Sequence, residues 1–202
     1  MITSDNPAMT MQLSTYRGKR ALDIVLAMGL AVPAAIATAL CAIAIAAEAR
    51  ANPLFFQTRV GLGGRHFRLV KLRTMPPATA DLPSHEVGAQ AILRTGRLFR
   101  ATKLDELPQV WNVLKGDMSF VGPRPCLPVQ EELIAERNKR GVLALRPGIT
   151  GPAQLAGIDM STPRKLAEAD SAYLDQASLG TDIAMLVRTF TGGGRGDAAD
   201  RR

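Results

Sequence analysis

Residues 103–109 read KLDELPQ, and the adjacent carboxylates Asp105 and Glu106 are the pair in this chain best suited to chemistry. Neighbouring acids repel unless something cationic lies between or around them. Arg94, Arg97, Arg100 and Lys103 precede the pair, and Lys115 and Arg124 follow it. A carboxylate in basic surroundings suits phosphate chemistry in two ways. It can share a Mg²⁺ ion with substrate phosphates, since that ion is usually held by one or two carboxylates plus phosphate oxygens. It can also attack phosphorus directly, as aspartyl-phosphate enzymes do. Successive helical residues point about 100° apart, so the two acids address different targets, one as nucleophile and one as base. The plainer alternative is a helix start, with Asp105 capping and Glu106 complementing the dipole. Other catalytic sets are poorly provided for. His66 and His85 are the only histidines, and Cys41 and Cys126 form neither a CxxC pair nor a disulfide framework.

The elements that must position the pair can be read outward from it. Leu104, Leu107, Val110, Trp111 and Leu114 recur at helical spacing and predict an amphipathic helix over 105–115, with Asp105 as N-cap, Pro108 in the first turn and Gly116 at the end. Trp111 is expected in the core or as an interfacial anchor, and Met118 in the core. Residues 86–103 carry a helical pattern broken at Gly96. MSFVG (118–122) reads as a short buried strand and PRP (123–125) as a rigid turn. Upstream, GGRHFRLVKLRTM (63–75) predicts a strand after a glycine turn, and PPATADLPSH (76–85) a mobile loop. Downstream, 128–140 reads as a charged helix, RPGITGPAQL (146–155) as a turn leading into a strand, and 161–178 and 182–190 as helices. From residue 191 the Gly, Asp and Arg content predicts a disordered tail.

Residues 24–47 carry no charge, and about 20 apolar residues suffice to span a bilayer as helix. Arg17, Lys19 and Arg20 flank the run on one side; Arg50, Arg59, Arg65, Arg68, Lys71 and Arg73, against Glu48 alone, follow on the other. Positive flanks favour the cytoplasm, so both ends want the same side of the membrane. Pro33 lies mid-run and removes a helical hydrogen bond. An ordinary span with a tolerated proline and a bent helix that enters and leaves through one leaflet both satisfy the pattern. The net charge of +7 points to anionic partners. At 4% aromatic residues, base-stacking nucleic-acid recognition is disfavoured.

TKLDELPQVWNVLKGDMSFVGPRP (102–125) resembles the signature of the bacterial sugar transferases, the monotopic polyprenol-phosphate phosphoglycosyl transferases. The likeness extends through KR before the apolar run, PLFFQTRVG with Gln57, Arg59 and Gly61, VKLRTM, RPGITGPAQ and DIAML, all in family order. The resemblance implies transfer of a sugar-1-phosphate from a UDP-sugar donor to undecaprenyl phosphate, with release of UMP. It implies Asp105 as nucleophile and Mg²⁺ ligand, and Glu106 as its catalytic partner. Lys71, Arg100 and Arg124 match basic substrate-binding positions, and Asp182 an acidic one. The implied architecture is α/β: a basic segment (1–20), a re-entrant membrane helix bent at Pro33 (21–49), a small cytoplasmic catalytic domain with a short sheet and amphipathic helices (50–190), and the tail (191–202). The implied location is the cytoplasmic face of a bacterial inner membrane, with no nucleic-acid partner.

Two positions depart from the family pattern. Val32 precedes Pro33 where serine is common, and Ile158 stands in AGID (156–159) where arginine is usual. The second departure leaves the sugar open. An inactive membrane scaffold of the same fold is the alternative reading, and the intact acid pair argues against it.

Overall fold

The computed structural model describes residues 16–77 and 92–192. Residues 1–15, most of the proline-rich loop with His85, and the tail beyond Gly192 lie outside the described residues, and so do the expectations made for them.

Helix α1 (Lys19–Ala49) is 31 residues long and runs on through Pro33, long and apolar enough to cross a membrane. Its buried residues are Lys19, Asp23, Ala27, Ala34, Cys41 and Ile45. Steps of four and seven put these on one stripe along the helix, and that stripe packs on the rest of the protein from end to end. Val25, Met28, Val32, Ile36, Leu40 and Ile43 are more than half exposed. The helix therefore presents apolar surface on its outer side as well.

An antiparallel hairpin follows, β1 (Leu54–Val60) with β2 (His66–Leu72), paired from Leu54↔Leu72 to Val60↔His66. Helix α2 (Arg94–Thr102) comes next, then a 3-10 turn over Leu104–Glu106 and helix α3 (Gln109–Lys115). Strand β3 (Ser119–Val121), helix α4 (Glu131–Lys139) and strand β4 (Gly148–Thr150) lead to helices α5 (Pro152–Leu155), α6 (Pro163–Gln176) and α7 (Leu179–Phe190). β3 and β4 pair in parallel, Ser119↔Gly148 and Val121↔Thr150. Among the described residues the fold is thus mixed helix and short sheet, carrying two separate two-stranded sheets.

Among the described residues three apolar clusters hold it together. One joins Ala27 and Ala34 of α1 to Leu69, Val110, Val113, Met118, Phe120, Val121, Leu145 and Tyr173. A second joins Cys41 and Ile45 of α1 to Leu72 and Phe99. The third lies away from α1, around Val60, Cys126, Leu133, Ala153, Leu166 and Ala167.

Two local expectations are corrected. Gly96 does not break a helix; it lies inside α2, where a Cβ would overlap the Thr74 carbonyl oxygen. Asp105 is not an N-cap. It sits within the 3-10 turn, and Pro108 occupies the position before α3 without side-chain capping. Trp111 is 64% exposed, which leaves the interfacial anchor of the two placements expected for it, and Met118 is fully buried as expected.

Candidate active site

The turn bearing the acids is pinned on both sides. Leu104 packs on the Phe99 cluster and Leu107 on the Val110 cluster. Lys103, just before the turn, takes a left-handed conformation at φ 57° and closes α2 through its N–H to the Arg100 carbonyl. That conformation is costly for a residue with a Cβ, and here it reverses the chain directly ahead of the acids. Asp105 is 8% exposed. Asn112 then ties α3 to the strand beside it: its Oδ1 accepts from Val70 N at 3.1 Å and its Nδ2 donates to Arg68 O at 2.8 Å. These bonds grip β2 next to Lys71.

Lys71 is the electrostatic centre of the site. Burial pushes it from its ordinary 10.5 down to about 8; nearby Arg59 pushes the same way, Asp105 opposes, and Arg100 and Arg124 add to the fall. Arg59 on β1, Arg100 on α2 and Arg124 on the 123–126 loop therefore gather with Asp105 around Lys71 on β2. The Lys71 ammonium lies 5.2 Å from the ring centroid of Phe55, its cross-strand partner. Arg124 Nη1 lies 3.7 Å from Glu106 Oε1, which joins the second acid to the same group. Arg100 Nε donates to Thr74 Oγ1 at 3.1 Å, while its Nη1 is buried with no hydrogen-bond partner among the described residues. Buried donors are rarely left unmet, so this one suits an anion that enters the site. Four positive groups against two carboxylates leave a surplus of two positive charges, matching a diphosphate.

Of the residues singled out in the sequence, Asp105, Glu106, Lys71, Arg100 and Arg124 come together. Asp182 belongs elsewhere in the contact network. It is fully buried and accepts from Lys19 Nζ at 2.6 Å, Tyr16 Oη at 2.8 Å and Tyr173 Oη. It therefore clasps the start of α1 to α6 and α7. In the sequence Arg59 appeared only as a flanking charge and as part of a motif. Its place becomes clear from β1, where it donates to Pro125 O at 3.0 Å and to Gln57. Ile158 packs against the Leu133 cluster, so this departure closes over a core.

Among the described residues no three His, Cys, Asp or Glu side chains gather closely enough to enclose a metal ion. The donor set still fits Mg²⁺, which commonly takes one carboxylate, with substrate phosphates and water completing its shell.

The family model described as bacterial sugar transferase matches residues 14–194. A UDP-glucose:undecaprenyl-phosphate glucose-1-phosphate transferase of Caulobacter vibrioides is 39% identical over 180 residues, covering 85% of this chain and 67% of its own length. The uncharacterized sugar transferase EpsL of Bacillus subtilis is 42% identical over 146 residues, 68% of each chain. A UDP-N-acetylgalactosamine-undecaprenyl-phosphate N-acetylgalactosaminephosphotransferase of Aeromonas hydrophila is 34% identical over 186 residues, covering 85% of this chain but 42% of its own length. The chain thus spans about two-thirds of the first two relatives and less than half of the third.

Proposed function

Because the chain belongs to the bacterial sugar transferase family, we propose that it is a phosphoglycosyl transferase that moves a sugar-1-phosphate from a UDP-sugar to undecaprenyl phosphate, through a covalent intermediate on Asp105. The observation that carries this reading is the setting of Asp105: a nearly buried carboxylate beside Lys71, with Arg59, Arg100 and Arg124 around the same ammonium. Such cations hold a diphosphate against a carboxylate that would otherwise repel it, and preorganised charge of this kind stabilises phosphoryl transfer.

In the first step an Asp105 oxygen bonds to the sugar-bearing phosphorus. The phosphoanhydride bond breaks and UMP leaves with its bridging oxygen. In the second step a phosphate oxygen of the lipid attacks the same phosphorus, the acyl phosphate bond breaks, and the Asp105 carboxylate is restored. Lys71, Arg59 and Arg100 bind and orient the diphosphate. Arg124, paired with Glu106, holds the second carboxylate where it can position the lipid phosphate and take its remaining proton. Mg²⁺ held by Asp105 and the substrate phosphates would supply further neutralisation of the diphosphate.

A monotopic, re-entrant placement at the cytoplasmic face of the inner membrane accounts for the form of α1. At 1.5 Å per residue the helix is about 46 Å long, yet its first turns bond to Asp182 and its last turn to α2, both in the same domain. A domain held at both helix ends lies on one side of the bilayer. The outer apolar face of α1, exposed Trp111, and Ile183, Val187 and Phe190 of α7 then offer surface to lipid.

The test is UMP release from a panel of UDP-glucose, UDP-galactose and UDP-N-acetylgalactosamine, with undecaprenyl phosphate in detergent. Incubation with an active donor adds the mass of a phosphosugar to the wild-type chain and nothing to Asp105→Asn. An adduct on Asp105→Asn removes the nucleophile assignment, and an absence of UMP across a wide donor panel favours an inactive scaffold.

A further inference from the structure

Arg124 sits on a short loop whose path is set by its carbonyls. Pro123 O accepts from Gly148 N at 2.9 Å, and Cys126 O from Val60 N at 2.9 Å. Between them, Arg124 O accepts from Arg137 Nη1 at 2.9 Å and Pro125 O from Arg59 Nη1 at 3.0 Å. Four successive carbonyls each have a dedicated donor. Two of the donors are guanidinium groups, and only one of those, Arg59, lies in the cation group around Lys71.

The other donor comes from beneath. Arg137, on α4, is 3% exposed, and Asp170, on α6, is 1% exposed. Arg137 Nε and Nη2 reach Asp170 Oδ2 at 3.0 and 2.6 Å, leaving Nη1 for the Arg124 carbonyl. A guanidinium is rigid and planar, so fixing two of its nitrogens fixes the direction of the third. Nothing in apolar packing requires an ion pair at this place; a buried pair adds little net stability over apolar residues of the same shape. It does give the backbone of one particular residue a donor in a set direction.

We propose that Arg137 and Asp170 are positioning residues for the transfer: the buried pair holds the Arg124 carbonyl, and so sets where the Arg124 side chain meets Glu106 and the donor diphosphate. The inference rests on the proposed function in that Arg124 is taken to contact the donor. Lysine at 137 keeps a charge for Asp170 but cannot serve both Asp170 and the Arg124 carbonyl with the same fork geometry. Asparagine at 170 keeps the shape and loses the charge that aims the fork.

The experiment is a double-mutant cycle read by UDP binding in calorimetry, with thermal melting alongside. Arg137→Lys and Asp170→Asn should each weaken UDP binding about tenfold and raise KM for the donor more than they lower kcat. Introduced into Arg124→Gln, the same changes should weaken binding no further, although they still lower the melting temperature. A purely structural pair gives a different pattern: melting falls, while the affinity of the folded protein is unchanged or falls equally in both backgrounds. Either of those results overturns the proposal. Failure of wild-type protein to release UMP or bind UDP would instead count against the function on which it rests.

Discussion

Lys71 offers the sharpest measurement, because its perturbation couples stability to binding. Burial, Arg59, Arg100 and Arg124 push its pKa from 10.5 to about 8, against the pull of Asp105. Each pKa unit corresponds to about 1.4 kcal/mol, so holding this ammonium charged at pH 7 costs the folded state about 3 kcal/mol. The sign follows from proton binding. The folded pKa lies below the unfolded one, so the unfolded chain binds more protons between pH 8 and 10.5, and stability rises with pH across that window. Lys71→Met removes the penalty and should raise the melting temperature at pH 7 by about 5 °C or more, while abolishing sugar-phosphate transfer. A bound diphosphate supplies the counter-charge the site lacks and restores the proton. Calorimetric titration of wild type with UDP, in buffers of different ionisation enthalpy, should show uptake of about half a proton at pH 8 and about a tenth at pH 7. Lys71→Met should show no such uptake. If uptake at pH 8 persists in Lys71→Met, or if that variant melts lower than wild type, the electrostatic account of the site is wrong.

Gly96→Ala drives a methyl group into the Thr74 carbonyl and shifts the hydroxyl that holds Arg100; it should cost about 2 kcal/mol in thermal melts and raise KM for the donor. Asp23→Ala strands Ser119 Oγ and Phe120 N, which donate to Asp23 Oδ1 at 2.9 and 3.0 Å; a loss of about 3 kcal/mol is expected, read by melting in detergent. Arg17 and Arg50 are exposed at the two ends of α1, so cysteines placed there should both react with an impermeant maleimide from the cytoplasmic side of inverted vesicles. Labelling of position 17 only from the opposite side would rule out the one-leaflet placement.

The spacing of Leu104, Leu107, Val110 and Leu114 announced an apolar face beside the acids, and Gly116 marked its end, where the structure ends α3. The same spacing included Trp111, which turns outward, because periodicity reports that a residue is apolar and not whether protein or lipid covers it. Gly96 read as a break because helix propensity is local, whereas the reason for glycine there is a carbonyl more than twenty residues away. The cations suffered from the same blindness. Arg94, Arg97, Lys103 and Lys115 were as natural candidates as Arg100 and Arg124, yet the group around Lys71 takes only the last two and adds Arg59 from β1. The family resemblance identified Lys71, Arg100 and Arg124. It assigned no role to Arg59, Asn112 or Arg137, whose value lies in which backbone atoms they reach.

Helix α1 reads in the sequence as an anchor, with its flanking charges sorted by the membrane. The contacts assign several of those charges a second task. Arg20 Nη1 and Nη2 donate to the carbonyls of Val113 and Leu114 at 2.6 and 3.0 Å, satisfying the open end of α3. At the other end of α1, Glu48 accepts from Arg94 N and Thr95 N at 2.8 and 3.0 Å, satisfying the open start of α2, whose own preceding residue, Leu93, makes no side-chain cap. Helices α2 and α3 are the two that flank the Asp105 turn. Their free termini therefore meet groups from opposite ends of one long apolar helix, and that helix also contributes to two of the three apolar clusters seen among the described residues. The turn cannot shift relative to α1 without uncapping a helix. Under the proposed transfer, the depth α1 takes in the lipid fixes the depth of Asp105, and a soluble donor and a lipid-borne phosphate then reach one carboxylate in turn.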